Sequence, residues 1–361
     1  MSRSPNASQT WDPLLLLAAA SLVVMSGVAM ASAASTVNNA LVLRHIVWTV
    51  VGMLLAVVIG RTNYRRWSGS VGIAYGVSLS ALALVLLAGV VRLGATRWLS
   101  VLGVSVQPSE FAKLATAWLL ARYLTDQSSP LPTPVVWWSL ALVGPPTLLI
   151  FIQPDLGSAT VFLAIWLGIL WVAGISRRAL VGLGGMAAVL APIGWQVLKS
   201  YQRDRLLVFI NPHADPLGAG FSIIQSTIAI GSGQLFGRGW FAGTQNQLSF
   251  LPERHSDFIF SVIGEEWGFF GCLLVVVMFG ILLSRMLTIA LQTSDPQGRL
   301  LAVGIFSWIG FQAVVNMGMV MGLLPVVGVP LPLISYGGSS MVIVWMALGL
   351  LQSIRRMEAS D

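Results

Sequence analysis

The sequence predicts an all-α integral membrane protein of about ten transmembrane helices. Of its 361 residues, 56% are hydrophobic and only 9% are charged, against roughly 25% charged in an ordinary soluble domain. The apolar residues gather in continuous runs, and a helix needs about 20 residues to cross a roughly 30 Å hydrocarbon core. Those runs lack the inside–outside alternation of a membrane barrel. A soluble enzyme, a disordered chain and a coiled coil are thereby excluded.

In chain order the runs fall at about 13–33, 41–60, 71–91, 109–124, 135–152, 156–174, 178–198, 262–284, 299–322 and 338–354. The first contains Ala29-Met30-Ala31-Ser32-Ala33, which resembles a signal-peptide cleavage site. Its apolar stretch exceeds the usual 7–15 residues and nine more runs follow, so it is expected to be retained. The fourth run is short and carries Glu110 and Lys113. The stretch 199–261 is punctuated by Gly and Pro and is expected to lie over the membrane surface as short helices and turns. Segment 324–340, LPVVGVPLPLISYGGSS, holds three prolines and paired glycines. No continuous helix survives that, so an outer broken or re-entrant segment is expected. Neither a repeat nor a linker divides the chain, and 1–361 is read as a single polytopic membrane domain.

Orientation follows from lysine and arginine in the short loops. With the N-terminus inside, eleven fall on the cytoplasmic side: Arg3, Arg61, Arg65, Arg66, Arg122, Arg177, Arg178, Arg285, Arg299, Arg355 and Arg356. Three (Arg44, Arg92, Arg97) fall outside in short loops. Both termini are therefore expected in the cytoplasm, with 199–261 and 324–340 on the outer face. The net charge of +7 reads as topology and as attraction to membrane lipids, with no nucleic-acid partner. A single cysteine, Cys272, excludes an internal disulfide, a CxxC redox pair or a cysteine zinc site, and three scattered histidines make a histidine metal cage unlikely.

Once oriented, the acids sort by face. Asp12, Asp126, Asp295, Glu358 and Asp361 fall at cytoplasmic ends, while Glu110, Asp155, Asp204, Asp215, Glu253, Asp257, Glu265 and Glu266 fall outward. A carboxylate in apolar surroundings costs several kcal/mol unless paired, hydrated or protonated. One polar cavity opening outward is expected, which fits an enzyme acting on a lipid-anchored substrate better than a transporter with a midplane site.

Four motifs supply its candidate residues. In RWLSVLGVSVQPSEFAK (97–113), Pro108 and Glu110 mark a helix start, and Glu110 and Lys113 are spaced to pair. In QPDLG (153–157), Asp155 is expected to cap the next helix, which does not exclude a second role at the cavity mouth. In YQRDRL (201–206), Arg203 and Arg205 either meet lipid headgroups or bind pyrophosphate bidentately. The densest charge lies in FLPERHSDFIF (250–260), with Glu253, Arg254, His255 and Asp257. Asp257 is either a helix cap, or a general base or metal-bridged acid at the polar–apolar boundary.

On these motifs, together with DPLGAGFSIIQSTIAIGSGQLFGRGW, GTQNQLSF, GEEWG and PVVGVPLPLISYGGSS, the chain resembles the SEDS family (shape, elongation, division and sporulation), and within it the RodA type. The resemblance implies a peptidoglycan glycosyltransferase that extends glycan strands from lipid II at the outer face of the bacterial cytoplasmic membrane. It implies a class B penicillin-binding protein as transpeptidase partner, within an elongation complex of other membrane proteins. It places the family's essential aspartate on Asp257, with Trp98, Glu110, Lys113, Asp155, Arg203 and Arg205 as matching polar positions. Glu253, Arg254, His255 and Ser335 are further cavity candidates. Dependence on a divalent cation, magnesium or manganese, is associated with the family, although no ligand spacing here demonstrates it. The rival roles are a lipid II flippase and a scaffold that only activates the penicillin-binding protein.

Overall fold

The computed structural model describes residues 11–35, 40–92, 95–101, 104–218 and 220–358. Arg3 and Asp361, two of the residues assigned to the cytoplasmic side, lie outside the described residues. The described chain is almost entirely helical: α1 (Pro13–Ala34), α2 (Ala40–Arg61), α3 (Val71–Ala88), α4 (Pro108–Thr125), α5 (Thr133–Ile152), α6 (Leu156–Ala173), α7 (Arg177–Val197), α8 (Ser200–Ile210), α9 (Phe221–Ser232), α10 (Thr244–Gln247), α11 (Ile259–Gln292), α12 (Pro296–Val320) and α13 (Gly338–Glu358).

Nine helices among the described residues are long and apolar enough to cross a membrane. The chain is a multi-pass membrane protein. α4 has 18 residues but carries Glu110, Lys113 and Arg122, so its composition alone does not mark it as a span. It is packed among α3, α5, α6 and α12, which buries Glu110 and Lys113, while Arg122 near its end is exposed. Helix starts follow local chemistry: Asp12 accepts from Leu15 N at 3.0 Å ahead of Pro13, and Asp295 accepts from Gly298 N at 2.8 Å ahead of Pro296.

Two expectations need correction. The run 71–91 does not stay helical to its end, because Gly89 turns extended (φ −71°, ψ 148°). The chain then forms a three-stranded antiparallel sheet, β1 (Val90–Arg92), β2 (Ala95–Val101) and β3 (Val104–Val106), in the order β1-β2-β3. Trp98 pairs with Val90, and Leu99 with Val106. The valine-rich sequence suits extended pairing better than a helical turn. The span read at 262–284 belongs to a longer helix, α11, that breaks at Gly268 (φ 65°, ψ −157°).

That break leaves backbone groups without helical partners, and the segment before α10 takes them. Arg238 N and Gly239 N donate to the carbonyls of Glu265 and Glu266, each at 3.0 Å. Phe269 N and Phe270 N donate to Gln234 O and Leu235 O at 2.8 and 3.2 Å. In lipid such groups have no water to turn to, so the loop is stitched into the helix by necessity. The stretch 199–261 otherwise folds as the expected short helices and turns. Residues 321–337 form no helix, as the prolines require.

The start of α1 and the last turn of α13 meet at one end of the bundle. There Arg285 donates to Asp12 at 2.8 Å and Arg355 also pairs with it, while Asp12 N donates to Gln352 at 2.7 Å. Although burial raises it, the Asp12 carboxyl is held below its ordinary value by Arg285, the Leu15 amide and Arg355. The opposite end gathers the sheet, the 153–157 turn, α8, the 250–258 turn and the 324–337 segment.

Candidate active site

Asp257 sits in the turn that leads into α11. It is not the cap of that helix: the capping position is Phe258, and no side chain caps the start. The aspartate is therefore left available. Around it stand groups brought from distant parts of the chain: Arg97 of β2, Asp155 before α6, Arg205 of α8 and Glu253 of its own turn. Burial, reinforced by Glu253 and Asp155 and opposed by Arg97 and Arg205, pushes its carboxyl up to about 6.

Gly328 of the 324–337 segment forms the floor. A Cβ there would lie 3.3 Å from Asp257 Oδ2 and 3.9 Å from Arg205 Nη1, so both groups come against bare backbone. Its φ of 71° suits glycine. Beside it opens a small cleft lined by Arg97, Pro154, Tyr201, Arg205, Val326 and Val327, among others. Arg97 Nη2 donates to Pro154 O at 2.7 Å and its Nε lies 3.6 Å from Asp155 Oδ2. The Arg205 guanidinium lies 5.9 Å from the Tyr201 ring centre.

Asp155 both caps and pairs. It accepts from Ser158 N at 3.1 Å and lies buried 3.6 Å from Arg97 Nε, so the capping reading of the QPDLG motif holds. Glu110 and Lys113 pair at 2.8 Å with both side chains buried, and the ammonium lies 5.2 Å from the Trp308 ring centre. Their partners are on α4 and α12, within the bundle. Trp98 is half-buried in β2 beside Arg97.

Several candidates also make contacts within the scaffold. Arg203 and Arg205 are two residues apart, about 200° around a helix, and Arg203 turns back to donate to Gln196 O at 2.5 Å. Arg254 is buried and donates to Ala33 O and Asn246 O at 3.1 and 2.6 Å. Burial lowers its tendency to hold a proton. Ser335 donates to Ser256 O at 2.6 Å and accepts from Leu331 N at 2.8 Å. His255 lies edge-on to Tyr336 at 5.8 Å between ring centres, and burial lowers its ring below the ordinary value. Glu253 accepts from Ser256 Oγ at 3.1 Å and lies 3.9 Å from the His255 ring.

Glu265 and Glu266, read from the sequence as outward acids, hold the loop down. Glu265 accepts from Gln245 N at 2.8 Å and Asn246 N at 3.2 Å, and Glu266 accepts from Asn246 Nδ2 at 3.1 Å and from Ser32. Sequence reasoning missed Arg97 as a site residue and counted it only toward topology. Its place beside Trp98 in the RWL motif was the available signal. Gly328 and Asn316 carried no such signal.

A divalent cation would need convergent ligands. Among the described residues no three His, Cys, Asp or Glu side chains gather closely enough to hold one. Cationic support at Asp257 comes from Arg97 and Arg205.

The profile of the FtsW/RodA/SpoVE cell cycle protein family matches residues 8–360. The chain belongs to this family. It is 39% identical over 360 residues to the Escherichia coli K12 peptidoglycan glycosyltransferase MrdB, covering 98% of this chain and 97% of that one. It is 33% identical over 385 residues to the peptidoglycan glycosyltransferase RodA of Treponema pallidum, covering 86% and 89%. Its fold matches a chain from a peptidoglycan synthase complex, described as coordinating polymerization and crosslinking, with a TM-score of 0.83 and 37% identity over 98% of this chain and 99% of that one. It also matches the Thermus thermophilus rod shape determining protein RodA, with a TM-score of 0.73 and 31% identity over 98% and 99%.

Proposed function

We propose that this chain is a peptidoglycan glycosyltransferase that extends glycan strands from lipid II, with Asp257 as general base. The observation that carries the chemistry is an uncapped aspartate, raised to about 6, set against two arginines at the edge of a cleft. A sugar hydroxyl is a weak nucleophile at neutral pH, so a positioned carboxylate that removes its proton lowers the barrier. As the hydroxyl oxygen bonds to the anomeric carbon, the bond from that carbon to the polyprenyl pyrophosphate breaks, and the electron pair leaves with the pyrophosphate. Arg205 and Arg97 stabilise the charge developing there. The bare backbone at Gly328 lets the substrate approach both groups.

The matched synthase complex supports a class B penicillin-binding protein as partner, which would crosslink the strands as they emerge. Further membrane proteins of an elongation complex belong to the same reading. The arginine distribution supports cytoplasmic termini and an outward active face in the bacterial cytoplasmic membrane. The flippase reading needs a polar path at the opposite end, where Asp12 is instead buried and tied to Arg285 and Arg355.

The test is the purified protein with lipid II, with and without a class B penicillin-binding protein, resolved for polymer length. The unaltered chain is expected to polymerise, and Asp257→Ala, folded and inserted, to form no polymer. Near-normal polymerisation by Asp257→Ala would overturn the role of this residue. Transbilayer movement of lipid II without polymer would overturn the enzyme reading.

A further inference from the structure

Three successive carbonyls in the turn that carries Asp257 are each gripped from outside it. Tyr336 N donates to His255 O at 2.9 Å, Ser335 Oγ to Ser256 O at 2.6 Å, and Asn316 Nδ2 to Asp257 O at 2.9 Å. The last of these comes from α12 and has a second duty. The same Nδ2 donates to Val329 O at 2.7 Å. One amide nitrogen thus ties the aspartate's own backbone to the residue next to Gly328, and Gly328 is the surface against which Asp257 Oδ2 and Arg205 Nη1 lie.

The chemistry at this position is specific. A primary amide carries two N–H donors on one nitrogen, and here each finds a carbonyl. Asn316 is fully buried, and its Oδ1 has no hydrogen-bond partner among the described residues. An apolar residue of the same shape would avoid that buried oxygen, so it is the two donations that the site uses. The first hydrogen-bonded turn of α11 also begins one residue later, where Phe258 O accepts from Ser261 N and Val262 N. The Asp257 carbonyl therefore takes a side chain as partner.

We infer that Asn316 is a positioning residue that sets the Asp257 carboxylate against the Gly328–Arg205 floor, an inference resting on the glycosyltransferase reading of the same site. It touches neither substrate nor the reacting atoms. Its effect runs through the backbone of Asp257, so it should appear in the chemical step more than in substrate binding. The groups facing Asp257 are Glu253 in its turn, Arg97 from β2, Asp155 before α6 and Arg205 from α8. All of them remain when Asn316 is changed.

The experiment measures steady-state polymerisation of lipid II by the purified complex for Asn316→Leu, Asn316→Asp and Asn316→Gln, with thermal midpoints taken alongside. Displacement of a catalytic group by about 1 Å can cost on the order of 100-fold in rate. Leu, which donates nothing, and Asp, which donates nothing when ionised, are expected to lose about 10- to 100-fold in kcat, with KM for lipid II changing less than about twofold. Gln keeps both donors on a longer stem and should recover part of that loss. In the Leu variant the acid limb of the pH–rate profile should also move, because the carboxylate no longer faces the same charges. Normal kcat in Asn316→Leu overturns the inference. So does a rise in KM that accounts for the whole loss, or failure of all three variants to fold. Absence of polymer from the unaltered complex refutes the glycosyltransferase reading instead, so the two failures are distinguishable.

Discussion

The Glu110–Lys113 pair offers the most quantitative test of how α4 tolerates charge inside the bundle. The ammonium and carboxylate are 2.8 Å apart, with side-chain exposures of 0% and 1%. At an effective dielectric of 20, two unit charges at that distance attract by about 6 kcal/mol, most of which offsets the cost of taking both ions out of water. Removing one partner leaves the other unpaired, typically at about 3–5 kcal/mol. Lys113→Met keeps the stem against the Trp308 ring and strips only the charge; Glu110→Gln keeps the shape of the carboxyl. Each single change should destabilise by roughly that 3–5 kcal/mol. The double change should cost less than the sum by about 2–3 kcal/mol, the upper range of coupling for groups in contact. Detergent unfolding titrations and thermal midpoints of the four proteins measure the cycle, with polymerisation recorded in parallel. Additivity within about 0.5 kcal/mol would show that the two charges do not support one another, and the account of α4 as a helix sustained by internal pairing would fall.

Two further outcomes test the cleft. A general base works only when ionised, and Asp257 is raised to about 6, so kcat/KM should fall about tenfold per pH unit below roughly pH 6 and level off above it; a limb centred near pH 4 would remove the raised carboxyl from the mechanism. Arg205→Gln removes a charged donor worth about 1.5–3 kcal/mol, so kcat/KM for lipid II should drop about tenfold or more. Arg203→Gln, on the opposite face of α8, should change it less than about twofold, and equal losses at the two positions would contradict the assignment of Arg205 rather than Arg203 to the cleft.

How far the sequence foretold this arrangement depends on the kind of signal each residue leaves. Membrane spans leave a strong one, because continuous apolar runs have few other uses, and nine of the helices carry it. The local pair in α4 was legible because Glu110 and Lys113 are three residues apart on a helix. Asp155 and Asp257 stood out as acids at a polar–apolar boundary. The sheet between α3 and α4 was hidden because Val90 and Val91 extend an apolar run by composition, and only the extended backbone at Gly89 separates them from it.

The rest was illegible for a physical reason. Burial forces polar groups to find partners wherever the fold provides them, and those partners are far apart in the chain. Glu265 and Glu266 look like cavity acids until the break at Gly268 brings the loop before α10 onto the helix and gives them amides to accept from. Arg254 looks like a substrate ligand until Ala33 and Asn246 offer carbonyls. The same rule works in reverse at Asp257. Its carbonyl is taken by Asn316 and its neighbours' carbonyls by Ser335 and Tyr336, so these three carbonyls are engaged while the carboxylate stays uncapped against Gly328. An ionisable group at a polar–apolar boundary, raised by burial and faced by specific charged partners, is a candidate for chemistry. The contrast between the satisfied acids at 265 and 266 and the uncapped one at 257 is what turns a charged loop into a site.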